Sequence, residues 1–312
     1  MTALGIDLGG TKLSFAVFSQ QGDILHKHTV ALEKRRANEV GDLITEESKK
    51  IIPSHNITKI GIAIPGIYHG KTGTVWAPNI SGWEDYPLLQ QVQDEVNLPV
   101  AIDSDRACCI LGESWKGNAK GCLNAIYLAV GTGIGAGILT DGKILRGAHD
   151  IAGAIGWMGL QQPFEEKYIS CGCFEHHASG EGIAKVAKEV LAKHKDYTGI
   201  LSEKPSVELT AYDIFAAYEI DDVVANEVFG ICIRFWGMAV ANLVSLFNPE
   251  KIILGGGVFG PAVQFISQIK KEAAKWAQPI SMKKVSIQAS SLGTDAGLYG
   301  AGYLALQIDR HV

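Results

Sequence analysis

The stretch Asp7-Leu8-Gly9-Gly10-Thr11-Lys12 lies between two short apolar runs, the second of which covers residues 13–18. Two such runs separated by glycines are typical of a β-hairpin, and a third run over 24–30 extends the hairpin to a meander. A helical pattern over 38–52 and a buried apolar run over 59–64 follow. Strands, helix and strand in this order predict the opening of an α/β domain with a mixed sheet.

The same order of elements returns about 120 residues later. An apolar run over residues 124–129 ends in Gly131-Thr132-Gly133, and further apolar runs follow over 134–139 and 143–145. A repeat of this length is too long for a solenoid, whose units span roughly 20–50 residues. The duplication therefore predicts two related domains that face one cleft.

Composition excludes several classes of protein. Of the 312 residues, 47% are hydrophobic and 20% are charged, which excludes disordered and fibrous chains. The net charge of −5 gives no global field that attracts nucleic acid or an anionic membrane, so we expect neither as a partner. No uninterrupted apolar run approaches the roughly 20 residues of a membrane-spanning helix.

The termini and cysteines suggest where the protein works. Residues 1–7 lead directly into the first strand pattern, so we expect no signal peptide. The pairs Cys108-Cys109 and Cys171-Gly172-Cys173 are too close in sequence to close loops through disulfides. We therefore expect a location in the reducing cytoplasm.

The first glycine cluster has the composition of an anion site. Gly9 and Gly10 let the backbone approach an anion and direct N–H groups at it, while Thr11 and Lys12 add a hydroxyl and a positive charge. Asp7, at the strand end, is placed to hold Mg²⁺ through water, because Mg²⁺ prefers one or two carboxylates together with phosphate oxygens. The alternative is a tight hairpin with a chance lysine.

Two more glycine clusters lie in the second half. They are Gly131-Thr132-Gly133-Ile134-Gly135-Ala136-Gly137 and Gly255-Gly256-Gly257, the latter after an apolar run over 251–254. Two glycine turns that face one cleft can clamp a polyphosphate, and a glycine turn after a strand lets a flat base lie against bare backbone. Three clusters in this order indicate a nucleotide site.

These residues resemble the ROK family (repressors, open reading frames and sugar kinases) of the actin-like, hexokinase-like ATPase superfamily over nearly the whole chain. Residues 6–12 are similar to its first phosphate motif, 131–137 to its second and 249–258 to its adenosine motif. Further family landmarks are Ile64-Pro65-Gly66, Ala77-Pro78-Asn79 with Gly82-Trp83, and Leu292-Gly293-Thr294-Asp295-Ala296-Gly297-Leu298. The resemblance implies an α/β protein with two actin-like (ribonuclease H-like) domains, whose mixed central sheets enclose an interdomain cleft for ATP, Mg²⁺ and a hexose.

The resemblance also implies a division of the chain. We expect an N-terminal domain over residues 1–118, a C-terminal domain over 119–296, and a C-terminal helix over 297–312 that returns to complete the first domain. No Pro-rich or Ser-rich linker separates the domains, so helices join them, which suits hinge motion. The family resemblance further implies a homodimer.

Asp105 is the candidate catalytic base. It follows an apolar run over 100–102 and opens a helical pattern over 107–115, at the place where the family pattern Asn-Asp-Ala carries the base that accepts the sugar hydroxyl proton. The alternative is that Asp105 only caps the helix. Asp103 should point elsewhere, and Ser104 stands in place of the family's sugar-binding Asn.

The chain departs from the family after the second phosphate motif. The family reads Gly-Glu-Ile-Gly-His-Met there, whereas this chain has Ala154 in place of a sugar-binding Glu, and Trp157 in place of a His that also ligates structural zinc. Trp157 either fills core volume that the zinc site would occupy or stacks on the apolar face of an altered substrate. Glu175 falls on a second sugar-binding glutamate of the family.

The family's cysteine-rich zinc loop is also incomplete in this chain. Cys171, Cys173, His176 and His177 are soft-metal ligands by residue type, but tetrahedral zinc requires suitable geometry as well. Because the family's zinc-ligating His is replaced by Trp157, we expect no structural zinc.

The sequence therefore predicts an ATP-dependent sugar kinase that phosphorylates a primary hydroxyl, the 6-OH, of a hexose or of a derivative such as a glycoside, amino sugar, ketose or cyclitol. The expected acceptor residues are Gly66, Asn79, Ser104, Asp105, Trp157 and Glu175. The expected nucleotide and metal residues are Asp7, Gly9, Gly10, Thr11, Lys12, Gly131, Thr132, Gly133, Gly256 and Gly257.

Two other functions of the same family were weighed against the kinase. ROK repressors carry an additional N-terminal DNA-binding segment, whereas the first strand pattern here begins by residue 3, so we expect no repressor. The remaining alternative is a non-catalytic sugar sensor, which the retained Asp105 and glycine turns argue against and the substitutions at Ala154 and Trp157 argue for. The sequence does not identify the sugar.

Overall fold

The computed structural model describes residues 2–308, which form twelve strands and ten α-helices. The strands are β1 (Thr2–Leu8), β2 (Lys12–Phe18), β3 (Ile24–Ala31), β4 (Ile57–Ile64), β5 (Ile67–His69), β6 (Thr74–Trp76), β7 (Val100–Ser104), β8 (Ala125–Val130), β9 (Ile134–Thr140), β10 (Lys143–Ile144), β11 (Lys251–Gly255) and β12 (Ser286–Ala289). The helices are α1 (Asn38–His55), α2 (Leu88–Val96), α3 (Asp105–Lys116), α4 (Cys173–Ala178), α5 (Gly180–Leu191), α6 (Ala211–Glu219), α7 (Val223–Phe247), α8 (Ile266–Ala273), α9 (Pro279–Lys284) and α10 (Ala296–Leu306).

Two five-stranded mixed sheets repeat one topology. The first has the order β3-β2-β1-β4-β7 and the second the order β10-β9-β8-β11-β12. In each, the first two pairings are antiparallel and the last two are parallel. A separate two-stranded sheet, β5-β6, lies between β4 and α2 in the chain. The predicted α/β class and the duplicated order of elements are confirmed.

Burial on both faces explains why the central strands are apolar throughout. In β1, Leu4 and Ile6 on one face and Ala3 on the other have no exposed surface, and Ile60, Ile62 and Ala63 of β4 are equally buried. Parallel strands covered on both faces read as continuous apolar runs, whereas half-exposed strands alternate. The carboxyl ends of these strands are therefore the places where polar side chains enter the cleft.

Helices α3 and α10 interlock the two halves. Helix α3 follows the first sheet in the chain but packs against β8 and β9, while α10 follows the second sheet but packs against β1 and β4. The two helices also pack on each other so closely that a Cβ at Gly300 would lie 1.7 Å from the Cys108 carbonyl oxygen. Helix α10 thus covers the first sheet and ends at Leu306. Residues 309–312 lie outside the described residues, and the division of the chain into two domains at residue 118 stays a prediction.

Helix α7 is the central element of the second core. Trp236 and Phe229 on this helix are fully buried, and the helix packs against α5 and α8. Among residues 2–308 it is the one helix whose length and hydropathy would allow it to cross a membrane, and 61% of its most apolar window is buried inside the protein. A buried core helix of a globular protein has the same composition.

Candidate active site

Three carboxylates converge at the cleft end of the first sheet. Asp7 lies at the end of β1 against the start of α10, where a Cβ at Gly297 would be 3.2 Å from Asp7 Oδ2. Burial, together with the negative charges of Asp105 and Asp295, raises the pKa of Asp7 to about 7, while Lys12 opposes the shift. Asp295 is already paired with Lys27 at 2.7 Å, and a cation beside Asp7 would relieve the repulsion between Asp7 and Asp105.

Asp105 is the first residue of α3, and Ser104 caps that helix. Ser104 Oγ accepts a hydrogen bond of 3.3 Å from the Ala107 N–H, so the alternative that Asp105 serves only as the cap is wrong. Asp105 Oδ1 accepts a hydrogen bond of 2.7 Å from the Arg106 N–H. Burial raises the pKa of Asp105, and the Arg106 charge opposes that shift. Within residues 2–308, Asp105 Oδ2 makes no hydrogen bond, so it is available to a substrate.

Asp103 has partners of its own. Its Oδ2 forms an ion pair with Arg146, and its Oδ1 accepts a hydrogen bond of 2.8 Å from the Ser104 N–H. Burial raises the pKa of Asp103, and Arg146 opposes the shift. Because both oxygens are engaged, Asp103 is not placed to accept a proton from a sugar.

Alternate glycines, Gly133 just before β9 and Gly135 and Gly137 within it, leave one face of this segment bare. A Cβ at Gly133 would lie 2.7 Å from Glu175 Oε2, and a Cβ at Gly137 would lie 1.9 Å from the Arg106 carbonyl oxygen. Between them, a Cβ at Gly135 would lie 3.3 Å from Arg106 Cδ. The glycines that the sequence offered as a phosphate motif therefore also let α3 and Glu175 approach the second sheet.

Glu175, in α4, reaches back to the second glycine turn. Its Oε2 accepts a hydrogen bond of 2.6 Å from the Ile134 N–H, and burial raises the pKa of this carboxyl. A Cβ at Gly156 would lie 2.9 Å from the same oxygen, so the segment before Trp157 passes directly over Glu175. Trp157 itself is 59% exposed, which shows that the core-filling interpretation is wrong.

The second and third glycine clusters lie side by side at the ends of the neighbouring strands β8 and β11. Gly256 (φ 88°) would place a Cβ 2.4 Å from the Val130 carbonyl oxygen, next to the second turn, and the Gly180 N–H at the start of α5 donates to the Gly131 carbonyl oxygen at 2.7 Å. A Cβ at Gly10, Gly131 or Gly257 would meet no atom within 4 Å. These positions face open space, as a site for a polyphosphate requires.

Gly66 and Asn79 lie on the first half beyond the end of β4. A Cβ at Gly66 would lie 2.0 Å from the Trp76 carbonyl oxygen, so this glycine allows β6 to approach closely. Asn79 is exposed in the turn that the hydrogen bond from the Ile80 N–H to the Ala77 carbonyl closes at 3.0 Å. Among the described residues, no hydrogen bond joins either residue to Asp105 or Glu175.

The cysteine and histidine side chains of the second half are turned to other partners. His176 Nε2 lies 3.1 Å from Glu189 Oε1, and His177 stacks on Phe235 with ring centroids 4.1 Å apart. Cys171 Sγ lies 3.9 Å from Lys185 Nζ. Over residues 2–308 no three Cys, His, Asp or Glu side chains are grouped as ligands of a metal ion, and all six cysteines are free.

Two residues of the site were missed as functional candidates. Asp295 lies in a stretch that the sequence offered only as a landmark, and its charge reaches Asp7 because α10 folds back onto β1. Arg106 was visible as the neighbour of Asp105, but its unpaired guanidinium became apparent only in the structure.

Comparison with known proteins identifies the family. A model of the ROK family matches residues 3–308. The chain belongs to the ROK family. Its glucokinase relative from Halalkalibacterium halodurans is 34% identical, and the alignment covers 97% of this chain and 94% of that protein. A β-glucoside kinase from Listeria innocua is 30% identical over the full length of both chains.

Solved structures agree with the family assignment. The ROK glucokinase of Streptomyces griseus, solved with glucose and AMPPNP, superposes with a TM-score of 0.80 at 30% identity and covers 98% of this chain and 100% of that one. The two mixed sheets are those of the actin-like ATPase fold of ROK hexokinases, as the resemblance implied. The glucokinase relatives support a ROK sugar kinase and imply the use of ATP with a metal ion, typically Mg²⁺.

Proposed function

We propose that this ROK protein is an ATP-dependent sugar kinase that transfers the γ-phosphate to the 6-OH of a hexose or a hexose derivative. The observation that carries the proposal is the placement of Asp105, which has one free carboxylate oxygen and whose charge contributes to the raised pKa of Asp7 at the same end of the first sheet. A carboxylate that accepts a proton, beside glycine turns that accept phosphates, is the arrangement that phosphoryl transfer needs.

In the proposed reaction Asp105 Oδ2 accepts the proton of the 6-OH as the hydroxyl oxygen forms its bond to the γ-phosphorus. The bond between that phosphorus and the β–γ bridging oxygen breaks, and ADP leaves with the electron pair. Backbone N–H groups near Gly10 and Gly131 would hold the phosphates, with Gly9, Thr11, Lys12, Thr132 and Gly133 in the same turns. Gly256 and Gly257 would lie against the nucleotide base.

The residues present fit a magnesium ion. Burial and the charges of Asp105 and Asp295 raise the pKa of Asp7, so a divalent cation would stabilise its ionised form. Mg²⁺ commonly uses one or two carboxylates, waters and phosphate oxygens rather than a cage of protein ligands. Asp7 would hold the ion through water, and the ion would supply charge neutralisation at the transferring phosphate.

The acceptor site supports a broad choice of sugar substituents. Gly66, Asn79, Ser104, Asp105, Trp157 and Glu175 would hold the acceptor. Ala154 offers no hydrogen-bonding group where the resemblance implies a contact near the anomeric end, and the exposed indole of Trp157 offers stacking area. A site without a buried group to satisfy does not reject a substrate that lacks the matching hydroxyl. Glycosides therefore belong among the proposed substrates, as the name of the Listeria innocua relative suggests.

The second candidate function is a sugar sensor without catalysis, which the substitutions Ala154 and Trp157 favour. A coupled ADP-release assay on a panel of hexoses, glycosides, amino sugars, ketoses and cyclitols separates the two. A kinase releases ADP with at least one acceptor, and 6-phosphorylation is read by NMR of the product. Sugar binding by calorimetry without ADP release from any acceptor would favour the sensor.

The role of Trp157 has a matched test. Trp157→Ala should lower kcat/KM for aryl and alkyl glycosides more than for the free hexose, because only the former lose the stacking surface. Trp276→Ala is the control, since Trp276 is similarly exposed at 64% but lies after α8. Equal losses for both substrate classes would contradict the stacking role.

Cellular location and assembly complete the proposed function. Six free cysteines suit the reducing cytoplasm, and the family resemblance suggests a homodimer. Light scattering of the purified protein measures the oligomeric state directly.

A further inference from the structure

Arg106 carries a charged group without a partner in the protein, immediately beside the proposed base. Its side chain forms no ion pair and no hydrogen bond within residues 2–308, and its Nη2 is buried. A buried donor that lacks an acceptor is costly, more so when it is charged, and native proteins rarely retain one. The position of Arg106 therefore raises the question of what its Nη2 binds.

The stem of Arg106 is held in one place. Its Cδ lies over Gly135, where an added Cβ would be 3.3 Å away, and its carbonyl oxygen lies over Gly137, where an added Cβ would be 1.9 Å away. Close contact with the bare backbone of β9 limits the positions that the Arg106 side chain can take beside Asp105. A preorganised donor of this kind suits recognition of a ligand.

Arg106 is one of the residues that line a small polar cavity between the two halves. The cavity is also lined by Tyr68, Asp103, Arg146 and Asp150. Asp103 and Arg146 pair with each other, whereas Tyr68 and Asp150 have no hydrogen-bond partner in the described part of the chain. The cavity therefore offers both donors and acceptors, and its two arginines balance its two aspartates.

This cavity adjoins the proposed acceptor residues on both sides. Tyr68 stands two residues after Gly66, and Ser104 and Ala152 are themselves part of the lining, with Ala152 two residues before Ala154. Ser104 and Arg106, which flank Asp105 in the chain, both line the cavity, so it lies beside the proposed base. The absence of net charge there, and the carboxylates of the nearby acidic cluster, disfavour an anionic substituent.

We propose that Arg106 is a specificity-determining residue of the acceptor site, whose Nη2 donates a hydrogen bond to a neutral oxygen of the sugar, either a ring hydroxyl or an acyl carbonyl. The proposal rests on the proposed function and deepens it, because it assigns a recognition group to the same cleft. We therefore expect the Arg106 side chain to hydrogen-bond one oxygen of the acceptor and no other.

The test combines variants of Arg106 with a series of monodeoxy and N-acyl hexoses, with kcat/KM from ADP release and Kd from calorimetry. For the wild-type protein, removal of the oxygen that Arg106 reads should cost roughly 10- to 100-fold. Arg106→Met keeps the length of the stem but has no donor. In this variant, removal of the oxygen that Arg106 contacts should lower kcat/KM and affinity by less than about threefold. Removal of any other sugar oxygen should cost as much as it does in the wild-type protein.

Two further variants keep the test decisive. Arg234→Met is the matched control, because Arg234 is an exposed arginine of α7, and it should retain the wild-type pattern of penalties. If Arg106→Met fails to fold, Arg106→Lys replaces it, because lysine keeps the charge but lacks the planar guanidinium. Arg106→Lys should lose the preference for the same sugar oxygen. Equal effects of an Arg106 substitution on all sugars would assign it a structural role and overturn the proposal.

Failure of the proposed function is distinguishable from failure of this inference. If the wild-type protein binds sugars without releasing ADP, the kinase proposal fails, and the Kd values alone decide the role of Arg106. If the wild-type protein phosphorylates sugars, but substitution of Arg106 changes the effect of removing no single sugar oxygen, the kinase proposal is supported and this inference fails. If it neither binds nor phosphorylates any sugar of the series, both are overturned.

Discussion

The first and second sheets share strand order and direction, but equivalent positions at their cleft ends carry different residues. The pair Asp7–Ser14 in the first hairpin corresponds to Ala129–Gly135 in the second, since each stands one step from the last pair of its hairpin. The carboxylate of Asp7 in the first sheet thus corresponds to the methyl group of Ala129 in the second sheet. The acidic residues of the cleft lie on or beside the first sheet, and the bare glycine face belongs to the second.

This difference shows that a duplicated scaffold fixes where loops lie without fixing their chemistry. The second sheet needs Gly135 and Gly137 because α3 presses on β9 there, whereas the first sheet meets α10 at other positions, Gly5 and Gly61. At Gly61 an added Cβ would lie 1.9 Å from the Ala301 carbonyl oxygen. Each half therefore positions the helix that the other half supplies, and Asp105 reaches the cleft through this exchange.

We expect the largest effect from removal of the base, Asp105, which the first half supplies. Asp105→Asn keeps the size of the side chain but not the proton acceptor, so kcat should fall on the order of 10²–10⁴-fold. Binding of the sugar, measured by calorimetry, should change far less than turnover.

Asp103→Asn is the control for that variant. Asp103 is paired with Arg146, which is 47% exposed at its side chain and can be solvated when its partner is lost. We expect a lower melting temperature and a smaller effect on kcat. An inactive Asp103→Asn protein beside a nearly unaffected Asp105→Asn protein would reverse the assignment.

The second prediction concerns Asp7, which corresponds to Ala129 in the second sheet, and the pH dependence of stability that its carboxylate causes. The pKa of Asp7 is raised to about 7 in the folded protein, whereas an unfolded Asp titrates near pH 4. Between these pH values the folded protein keeps a proton that the unfolded chain releases, so the contribution of Asp7 to stability is full below about pH 4 and is lost as the pH rises through about 7. In the presence of a chelator, the free energy of unfolding should fall across this window by up to about 4 kcal/mol more in the wild type than in Asp7→Asn.

Urea unfolding at several pH values measures this difference. Added Mg²⁺ and ATP should flatten the pH dependence of the wild-type protein, because a bound cation stabilises the ionised carboxylate. Parallel pH profiles for the wild type and Asp7→Asn in the chelator would show that Asp7 has an ordinary environment.

The third prediction compares alanine substitutions in the two glycine turns by their effects on stability and on the KM for ATP. A Cβ at Gly10 meets nothing in the protein, so Gly10→Ala should fold normally yet raise the KM for ATP on the order of tenfold, because the methyl group displaces the phosphate. Gly133→Ala places its Cβ 2.7 Å from Glu175 Oε2, so it should also destabilise the protein, by about 1–3 kcal/mol.

Gly70→Ala is the matched control for Gly10→Ala, since a Cβ at Gly70 likewise meets no atom within 4 Å. It should leave both the melting temperature and the KM for ATP unchanged. If Gly10→Ala behaves as this control does, the first turn is a hairpin without a role in nucleotide binding.

The smallest expected effect concerns the segment around Cys171 and Cys173, which has no counterpart in the first half. Its histidines are engaged by Glu189 and Phe235. Elemental analysis should find substoichiometric zinc, and activity should survive chelation once Mg²⁺ is restored. One tightly held zinc per chain would overturn this and implicate Cys171, Cys173 and the pair His176-His177.

The sequence by itself determined the repeated sheet, the glycine turns and the candidate base. Each of these depends on local chemistry: apolar runs make buried strands, glycines mark tight turns, and Asp105 directly follows a strand. The resemblance to the ROK family rests on the same short stretches, and the family assignment and the actin-like fold were confirmed.

Only the tertiary structure decided how these pieces share the cleft. Asp295 joins the acidic cluster because α10 crosses back over β1, and the surroundings of Arg106 depend on the approach of α3 to Gly135 and Gly137 of β9. Sequence patterns report which face of an element is apolar, but not which element covers it. Packing decides this, because α3 and α10 pack on each other and each covers strands of the opposite half.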